Sequence, residues 1–284
     1  MRGCACRGTS GVAHVSCLVE QAKILFAEAE YNNLDWEVCN ERWHRWDTCS
    51  LCEQRYHGVV KCALGWACWK TYLGRPERDQ ARLLAVGVLG SGLSAAGHEE
   101  EALSVKEADL SSMRRIGASE SSILIAQTCL ANTYTLLRRN EQASNMLRDV
   151  YSARVRLNGD EHEDTIVAAL NYAASLGSLR RAKEAKSLLR KTVPMARRVL
   201  GESDETTLRL RSSYAAALCQ DDCATLDDLR EAVNTLEEVE RTARRVLGGS
   251  HPLTRTFEDH LRDTRVALAA REDLTSISDA VGAL

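Results

Sequence analysis

Apolar residues recur along this chain with the spacing of helix faces, three or four positions apart. Leu18, Ala22, Leu25, Phe26 and Ala29 follow this spacing within one early segment, so one stripe of an α-helix would carry them. Similar segments fill the C-terminal two thirds of the chain, where a small alanine recurs among larger aliphatic residues. The pattern predicts helices that cross closely at these alanines, which are Ala102, Ala143 and Ala185 in one set and Ala173 and Ala215 in another.

The helical segments also repeat at long range. A glycine recurs at intervals of 42, 42 and 47 residues, and an arginine stands three positions before each one. Three copies then share a frame of Gly, two residues, His or Asp, two residues, Thr, whereas the first copy has Glu120 and Ile123 in these places. The glycines are Gly117, Gly159, Gly201 and Gly248, and the arginines are Arg114, Arg156, Arg198 and Arg245.

Each part of the frame has a physical reading. Glycine suits the residue just past a helix end, where positive φ is needed, and the preceding arginine lies near the negative end of the helix dipole. His162, Asp204 or His251 then falls at an N-cap, with Pro252 at a first helical position. The frame therefore predicts two helices per unit, and the longer last interval predicts a longer turn between helices at residues 219–226.

A two-helix unit of 42 residues with this frame resembles the tetratricopeptide repeats of the kinesin light chain family, over about residues 81–270. The resemblance implies a right-handed helical solenoid whose concave groove binds peptides or helices of partner proteins. Asn171 matches a groove-lining asparagine of the family motif. The equivalent positions in the flanking repeats are Cys129 and Ser213.

Composition supports a helical chain and excludes several classes. The 284 residues are 44% apolar but only 5% aromatic, with 27% charged residues and three prolines, a balance that favours helices over a β-sandwich or a collagen-like chain. The net charge of −3 provides no basic field for nucleic acid. No signal peptide or membrane-length apolar run is visible, so we expect an intracellular, cytoplasmic protein without a membrane partner, the nucleus remaining open.

The cysteines and tryptophans mark a second kind of structure at the N-terminus. Eight of the 11 cysteines lie within the first 68 residues, and all five tryptophans lie between Trp36 and Trp69. In a reducing compartment such a cluster favours a metal site over disulfides. Thiolate and imidazole pairs at short spacing suit tetrahedral zinc. The pairs are Cys4-x-Cys6, His14-x2-Cys17 and Cys49-x2-Cys52.

These pairs, with Arg7-Gly8-Thr9 between the first two, resemble the RING-CH zinc finger of ubiquitin ligases. The resemblance implies one complete structural zinc site from Cys4, Cys6, Cys49 and Cys52. A second site would use His14 and Cys17 with a further cysteine pair, for which the three residues before Cys4 leave no room. Either the chain is an incomplete product, or substitutes complete the second site; the candidates are Cys39, Cys62, Cys68, His44 and His57.

The same resemblance implies a ubiquitin-conjugating enzyme as a partner, although two positions depart from active family members. Gln21 stands where the family has a tryptophan, and Glu53 stands where many members have a basic residue. No nucleophile, paired carboxylates or phosphate loop indicates chemistry by the chain's own side chains.

The predicted organisation is a mainly α protein that begins with a small zinc-finger module. Residues 1–60 form that module, 61–80 a connector and capping helix with a boundary at Gly74-Arg75-Pro76, 81–270 the tetratricopeptide-like repeats, and 271–284 a tail. Metal removal would then unfold residues 1–70 alone. The predicted function is a zinc-binding adaptor of ubiquitin-ligase type whose solenoid binds a protein or peptide. The alternative is a non-enzymatic scaffold with a purely structural zinc module.

Overall fold

A computed structural model describes residues 14–221 and 223–282, with side chains described up to Asp273. Within these ranges the chain forms twelve α-helices and a short 3₁₀ turn at His44–Trp46. The helices are α1 Val15–Tyr31, α2 Trp36–Trp43, α3 Gly58–Tyr72, α4 Gln80–Ala95, α5 Glu99–Ile116, α6 Glu120–Leu136, α7 Asn140–Asn158, α8 Glu163–Ser178, α9 Ala182–Val199, α10 Glu205–Gln220, α11 Leu226–Val246 and α12 Pro252–Gly282.

The predicted helical class is confirmed. In the described residues, β pairing is limited to an isolated antiparallel bridge between Thr48 and Arg55. The described residues of 81–270 are helical apart from short breaks, which fall at the four repeat glycines and at the turns within units. Among the described helices, none has both the length and the apolar character needed to cross a bilayer.

The chain divides into two compact units, the first of which runs to Arg139. In this unit α1 packs on α2 and α3, α3 packs on α4, α4 on α5, and α5 on α6. An aromatic cluster joins the first four helices: Phe26, Trp43 and Tyr72 lie with ring centroids 4.8 to 5.9 Å apart. The cluster also contains the fully buried Trp46, and Ala81 and Ala85 of α4 pack against it.

The turn at Gly74-Arg75-Pro76, where a boundary was predicted, joins two helices that pack on each other. The Arg75 guanidinium donates to both carboxylate oxygens of Glu30, at 2.6 and 2.7 Å, and lies 4.9 Å from the Tyr72 ring. The predicted short buried helix before this turn is the 15-residue α3. The region predicted as a zinc module and the first predicted repeat therefore share one hydrophobic core.

The second unit begins at Asn140 and contains α7 to α12. Each helix packs on the next, and α10 also contacts both α8 and α12. The helices that begin each repeat therefore form one layer. Its largest core cluster is built mainly from aliphatic residues of α8, α9 and α10, and the alanines Ala173 and Ala185 are buried at the crossings as predicted.

The repeat frame behaves as its chemistry predicts. All four glycines have positive φ, between 70° and 95°, and the Asp204 carboxylate accepts from the N–H groups of Thr206 and Thr207. The frame's threonine is buried in each complete copy. Its hydroxyl donates to a carbonyl near the end of the preceding helix, as Thr207 does to Ala196 at 3.3 Å. The threonine hydroxyl thus adds a second hydrogen bond to the Ala196 carbonyl, which also accepts from the Leu200 N–H at 2.9 Å.

Three local details differ from the predictions. The N-cap of α6 is Ser119, one position earlier than the frame places it at Glu120. The extra residues of the last unit are shared between a helix and a turn. Helix α11 has 21 residues against 18 in α9, and the turn before α11 has five residues against three before α9. Residues 271–282, predicted as a tail, continue α12 to Gly282.

Candidate functional site

Cys49 and Cys52 lie in a tight hairpin that precedes α3. The Cys49 N–H donates to the Gln54 carbonyl at 2.9 Å, and the Glu53 N–H donates to the Cys49 carbonyl at 3.0 Å. Beyond the turn, the bridge between Thr48 and Arg55 continues the pairing. Both cysteine side chains contact one hydrophobic cluster, which includes Tyr56 together with Val60 and Leu64 of α3.

The turn itself has features that suit a metal-binding thiolate pair. The Leu51 N–H points at the Cys49 Sγ, 3.5 Å away, and such a donor stabilises negative charge on sulfur. Glu53 adopts positive φ, 54°, which is uncommon for a residue other than glycine and closes the turn directly after Cys52. The donor set and the backbone therefore fit a half-site for a thiolate-bound metal.

His14 and Cys17, the second predicted pair, occupy the start of α1. His14 is the N-cap residue and its carbonyl accepts from the Cys17 N–H at 3.1 Å, so the two residues share one turn. Cys4 and Cys6 lie outside the described residues. Among residues 14–221 and 223–282, no group of three metal-ligating side chains is found, and the four-ligand site remains a prediction.

The proposed substitutes for the missing ligands have other surroundings. Cys68 lies fully buried within the aromatic cluster, and burial raises the pKa of its thiol far above the ordinary value. Burial also raises the pKa of Cys62, while the Cys39 thiol donates to the Leu34 carbonyl at 3.4 Å. The His44 Nε2 faces the Asn40 amide at 3.4 Å. His57 is exposed and lies at the N-cap of α3. A thiolate is disfavoured in the Cys68 environment.

Asn171 lies half-buried on α8 in the second unit, and Ser213 is half-buried at the equivalent position of α10. Cys129, their counterpart on α6, belongs to the first unit. Sequence reasoning missed a further member, His260 of α12, which stands twelve residues after Gly248, as Asn171 does after Gly159. Its Nδ1 is 2.9 Å from the Ser212 hydroxyl. Counting twelve positions from each repeat glycine would have found it.

A small cavity of about 210 Å³ opens beside His260 between α10, α11 and α12. Its lining includes Ala216 and Gln220 of α10 and Asp263 of α12. The helix layer of the second unit thus presents polar side chains beside small residues, an arrangement that can hydrogen-bond a peptide backbone.

Comparison with known proteins places the repeats in a known class. A family model described as tetratricopeptide repeat matches residues 122–198, and no curated protein matches the chain. The fold resembles a crystal structure of a candidate kinesin light chain of Podosopora anserina with nearly identical TPR-like repeats. That protein is 19% identical, with 82% of this chain and 98% of that chain covered and a TM-score of 0.53. A second crystal structure from the same source, at 19% identity and the same coverage, has a TM-score of 0.52.

The BtubC (BKLC) structure from P. vanneervenii is 11% identical, with 92% and 93% of the two chains covered and a TM-score of 0.49. The predicted tetratricopeptide repeats with a kinesin-light-chain-like fold are confirmed by the family model and the Podosopora structures. The RING-CH resemblance remains a prediction.

Proposed function

We propose that this protein is an interaction adaptor whose repeats bind an extended segment of a partner protein on the layer formed by α8, α10 and α12. One observation carries the proposal. Asn171, Ser213 and His260 occupy the same repeat position on three neighbouring helices. The Asn171 amide makes no hydrogen bond with another described side chain or backbone group, so its donors and acceptor are available to a partner backbone.

Peptide selection from a random phage library, with the full chain as bait, tests this proposal. Asn171→Ala should weaken the selected peptides about three- to tenfold, the value of one or two hydrogen bonds. His260→Ala should add a comparable loss. Ser178→Ala, an exposed position on the same helix whose hydroxyl donates to the Ala174 carbonyl, is the matched control. Selected peptides that bind all variants equally would place the partner surface elsewhere.

Zinc is the second part of the proposal. Cys49 and Cys52 would bind one structural zinc together with Cys4 and Cys6, and His14 and Cys17 would contribute to an incomplete second site. The hairpin supports this through the N–H directed at the Cys49 sulfur and the turn closed at Glu53. The metal would supply structural stability, fixing the N-terminal segment to the hairpin.

Metal content of freshly purified, reduced protein tests the zinc site. One tight zinc is expected. It should be lost in Cys49→Ser and retained in Cys223→Ser, which changes a cysteine in the turn between α10 and α11. No zinc would contradict the assignment. Two tight zincs would show that one of the substitutes, such as Cys39, Cys62 or His57, completes the second site.

The finer form of the proposal is a ubiquitin-ligase-type adaptor that also docks a conjugating enzyme. Leu51, between the two hairpin cysteines, is 68% exposed, so its side chain is accessible to a conjugating enzyme. Autoubiquitination with a panel of conjugating enzymes tests this, with Leu51→Asp expected to abolish a positive signal. Inactivity with the whole panel would favour the non-enzymatic scaffold. Thiol ligands also require a reducing compartment, and we propose a cytoplasmic location, which a fluorescent fusion can check.

A further inference from the structure

The first unit contains a cavity of about 360 Å³ that neither proposed site uses. It opens between helices α4, α5 and α6 and the region that runs from the end of α2 to the start of α3. Much of its wall is apolar and includes Leu83, Val88 and Met113, with Ile125 57% exposed at its edge. The volume lies within the range of small-ligand pockets, so the cavity can accept a small molecule with an apolar body.

The charged side chains that line the cavity have a surplus of positive charge. Arg55, Lys61 and Lys106 face only two carboxylates, those of Asp47 and Asp109. The Asp47 carboxylate lies 2.9 Å from the Lys61 ammonium and 3.4 Å from the Arg55 guanidinium, so one anion is shared by two cations. A ligand with a single negative charge would balance this set of charges.

Lys106 of α5 is the cation that lacks an anionic partner among the described residues. Its ammonium donates to the hydroxyls of Ser94 and Thr133, at 3.1 and 2.6 Å, and both of these acceptors are neutral. Burial lowers the pKa of this ammonium group, and the influence of Cys129 and Glu99 in the opposite direction does not outweigh it. An ammonium has three N–H donors, so the third is available to an anion, which would stabilise the charged form.

Asp109 does not reverse this balance. Its Oδ1 is buried, so a ligand in the cavity has no direct access to that atom. Burial also raises the pKa of this carboxyl group to about 6, because the charged form is disfavoured away from water. The carboxylate still repels an anion at neutral pH, and its removal should therefore strengthen the binding of one.

We infer that this cavity binds a small carboxylic acid with an aliphatic body, its carboxylate on the Lys106 ammonium and its chain along Leu83, Val88 and Met113. A hydrogen bond between two charged groups is stronger than a neutral one. The side chain of an aspartate or glutamate from a partner protein has too short a stem to cover these three apolar residues, whereas a longer free acid removes them from water. The site lies in the first unit and does not depend on peptide binding by α8, α10 and α12.

Gly87 of α4 offers a direct way to block the cavity. It lines the cavity, and a Cβ built on it would meet no atom within 4 Å. Gly87→Leu should therefore fill the cavity without displacing its walls. Gly177→Leu on α8 is the matched control, because its Cβ would approach only the Gln220 side chain, at 3.9 Å.

Titration of the full chain with octanoate provides the test, followed by NMR of the methyl groups of Met113 and Ile125 so that binding is detected at the cavity itself. Octan-1-ol and octylamine keep the chain and change the charge, and each should bind at least tenfold more weakly than octanoate. Gly87→Leu should abolish octanoate binding, whereas Gly177→Leu should bind like the unmodified chain.

The role of Lys106 is tested by comparing two ligands in two proteins. Lys106→Met should weaken octanoate at least tenfold and leave the affinity for octan-1-ol unchanged, so the comparison isolates the pair of charges from the burial of the chain. Unchanged binding of octan-1-ol also shows that the variant keeps the cavity. Asp109→Asn should have the opposite sign and tighten octanoate about threefold, the effect of removing a nearby like charge.

Four outcomes would overturn the inference: no octanoate binding at the cavity, equal binding of octan-1-ol or octylamine, unchanged octanoate affinity in Lys106→Met, or unchanged affinity in Gly87→Leu. The first and last contradict the cavity as the site, and the other two contradict a carboxylate on Lys106. Tighter binding of acetyl-Leu-Leu with a free carboxyl terminus would contradict a small molecule as the occupant. Loss of peptide binding in Asn171→Ala would not affect this site, so the two proposals fail independently.

Discussion

The two units of this protein bring their helices together in different ways. In the second unit every complete repeat has a positive-φ glycine, a His or Asp at the N-cap position and a buried threonine. Its largest core cluster is dominated by aliphatic residues and alanines. In the first unit a single aromatic cluster holds α1 to α4 together, and its members Phe26, Trp46 and Tyr72 come from separate parts of the sequence. Stability in the second unit is distributed over similar contacts in each repeat, while in the first unit it is concentrated in this aromatic cluster.

This difference changes what a local perturbation should do. In a repeat array each unit contacts mainly its neighbours, so damage to one repeat stays near it. In the first unit the Cys49 hairpin packs on Val60 and Leu64 of α3, and α3 packs on α4. A disturbance of the hairpin therefore has a route through α3 into the first repeat.

Metal removal should produce the largest effect and separate the units most clearly. If zinc binds as proposed, chelation removes a contribution on the order of 10 kcal/mol for small modules, so it should unfold more than residues 1–70. We expect α3 and α4 to lose amide protection in hydrogen exchange while α8 to α11 retain it. Exchange confined to residues 1–57 would mean that the aromatic cluster survives without the metal.

Trp46→Ala tests the concentrated core directly. Trp46 has no exposed surface, and truncation of a buried tryptophan costs about 3–5 kcal/mol. Amide protection should fall in α1, α3 and α4 together, since all three contact the same cluster. Leu189→Ala in the second unit is the counterpart, at about 2–5 kcal/mol. The loss of amide protection in Leu189→Ala should be largest in α8, α9 and α10. Equal protection of α4 before and after Trp46→Ala would contradict a shared core.

The close crossing of α3 and α4 allows a matched test within one helix. A Cβ on Gly92 would lie 2.8 Å from the Lys61 carbonyl oxygen, whereas one on Gly87 meets nothing within 4 Å. Gly92→Ala should destabilise by about 1–3 kcal/mol through overpacking. Gly87→Ala should stabilise by about 0.5–1 kcal/mol, the difference in helix propensity. Urea denaturation of both variants checks the signs, and the same sign for both would contradict the crossing.

The features that sequence could predict are those encoded locally. Gly201 and Asp204 act within a few residues of their own helix ends, so the frame predicts their roles. The division of the longer last unit also had a local signal, because Thr225 and Asp228 form a capping box at the start of α11. The contact of Trp46 with the cluster shared by α1, α3 and α4 had no local signal, because nothing near Trp46 in the sequence specifies which helices will cover it. The same applies to the cavity around Asp109, whose walls come from segments more than 80 residues apart.

The smallest expected destabilisation tests the frame's threonine in the second unit. Thr207 is fully buried, and its hydroxyl donates to the Ala196 carbonyl at 3.3 Å. Thr207→Val keeps the shape and removes that donor, so it should cost about 0.5–1.5 kcal/mol. Thr207→Ser keeps the donor and removes a methyl group, which measures packing at the same position. Isotope-edited infrared absorption of the Ala196 carbonyl reports on this hydrogen bond. If the hydroxyl explains why the frame has threonine, the band should shift in Thr207→Val and stay unchanged in Thr207→Ser. An unshifted band in both variants would leave side-chain volume as the reason for threonine. The repeat would then be defined by packing there, as the first unit is by its aromatic cluster.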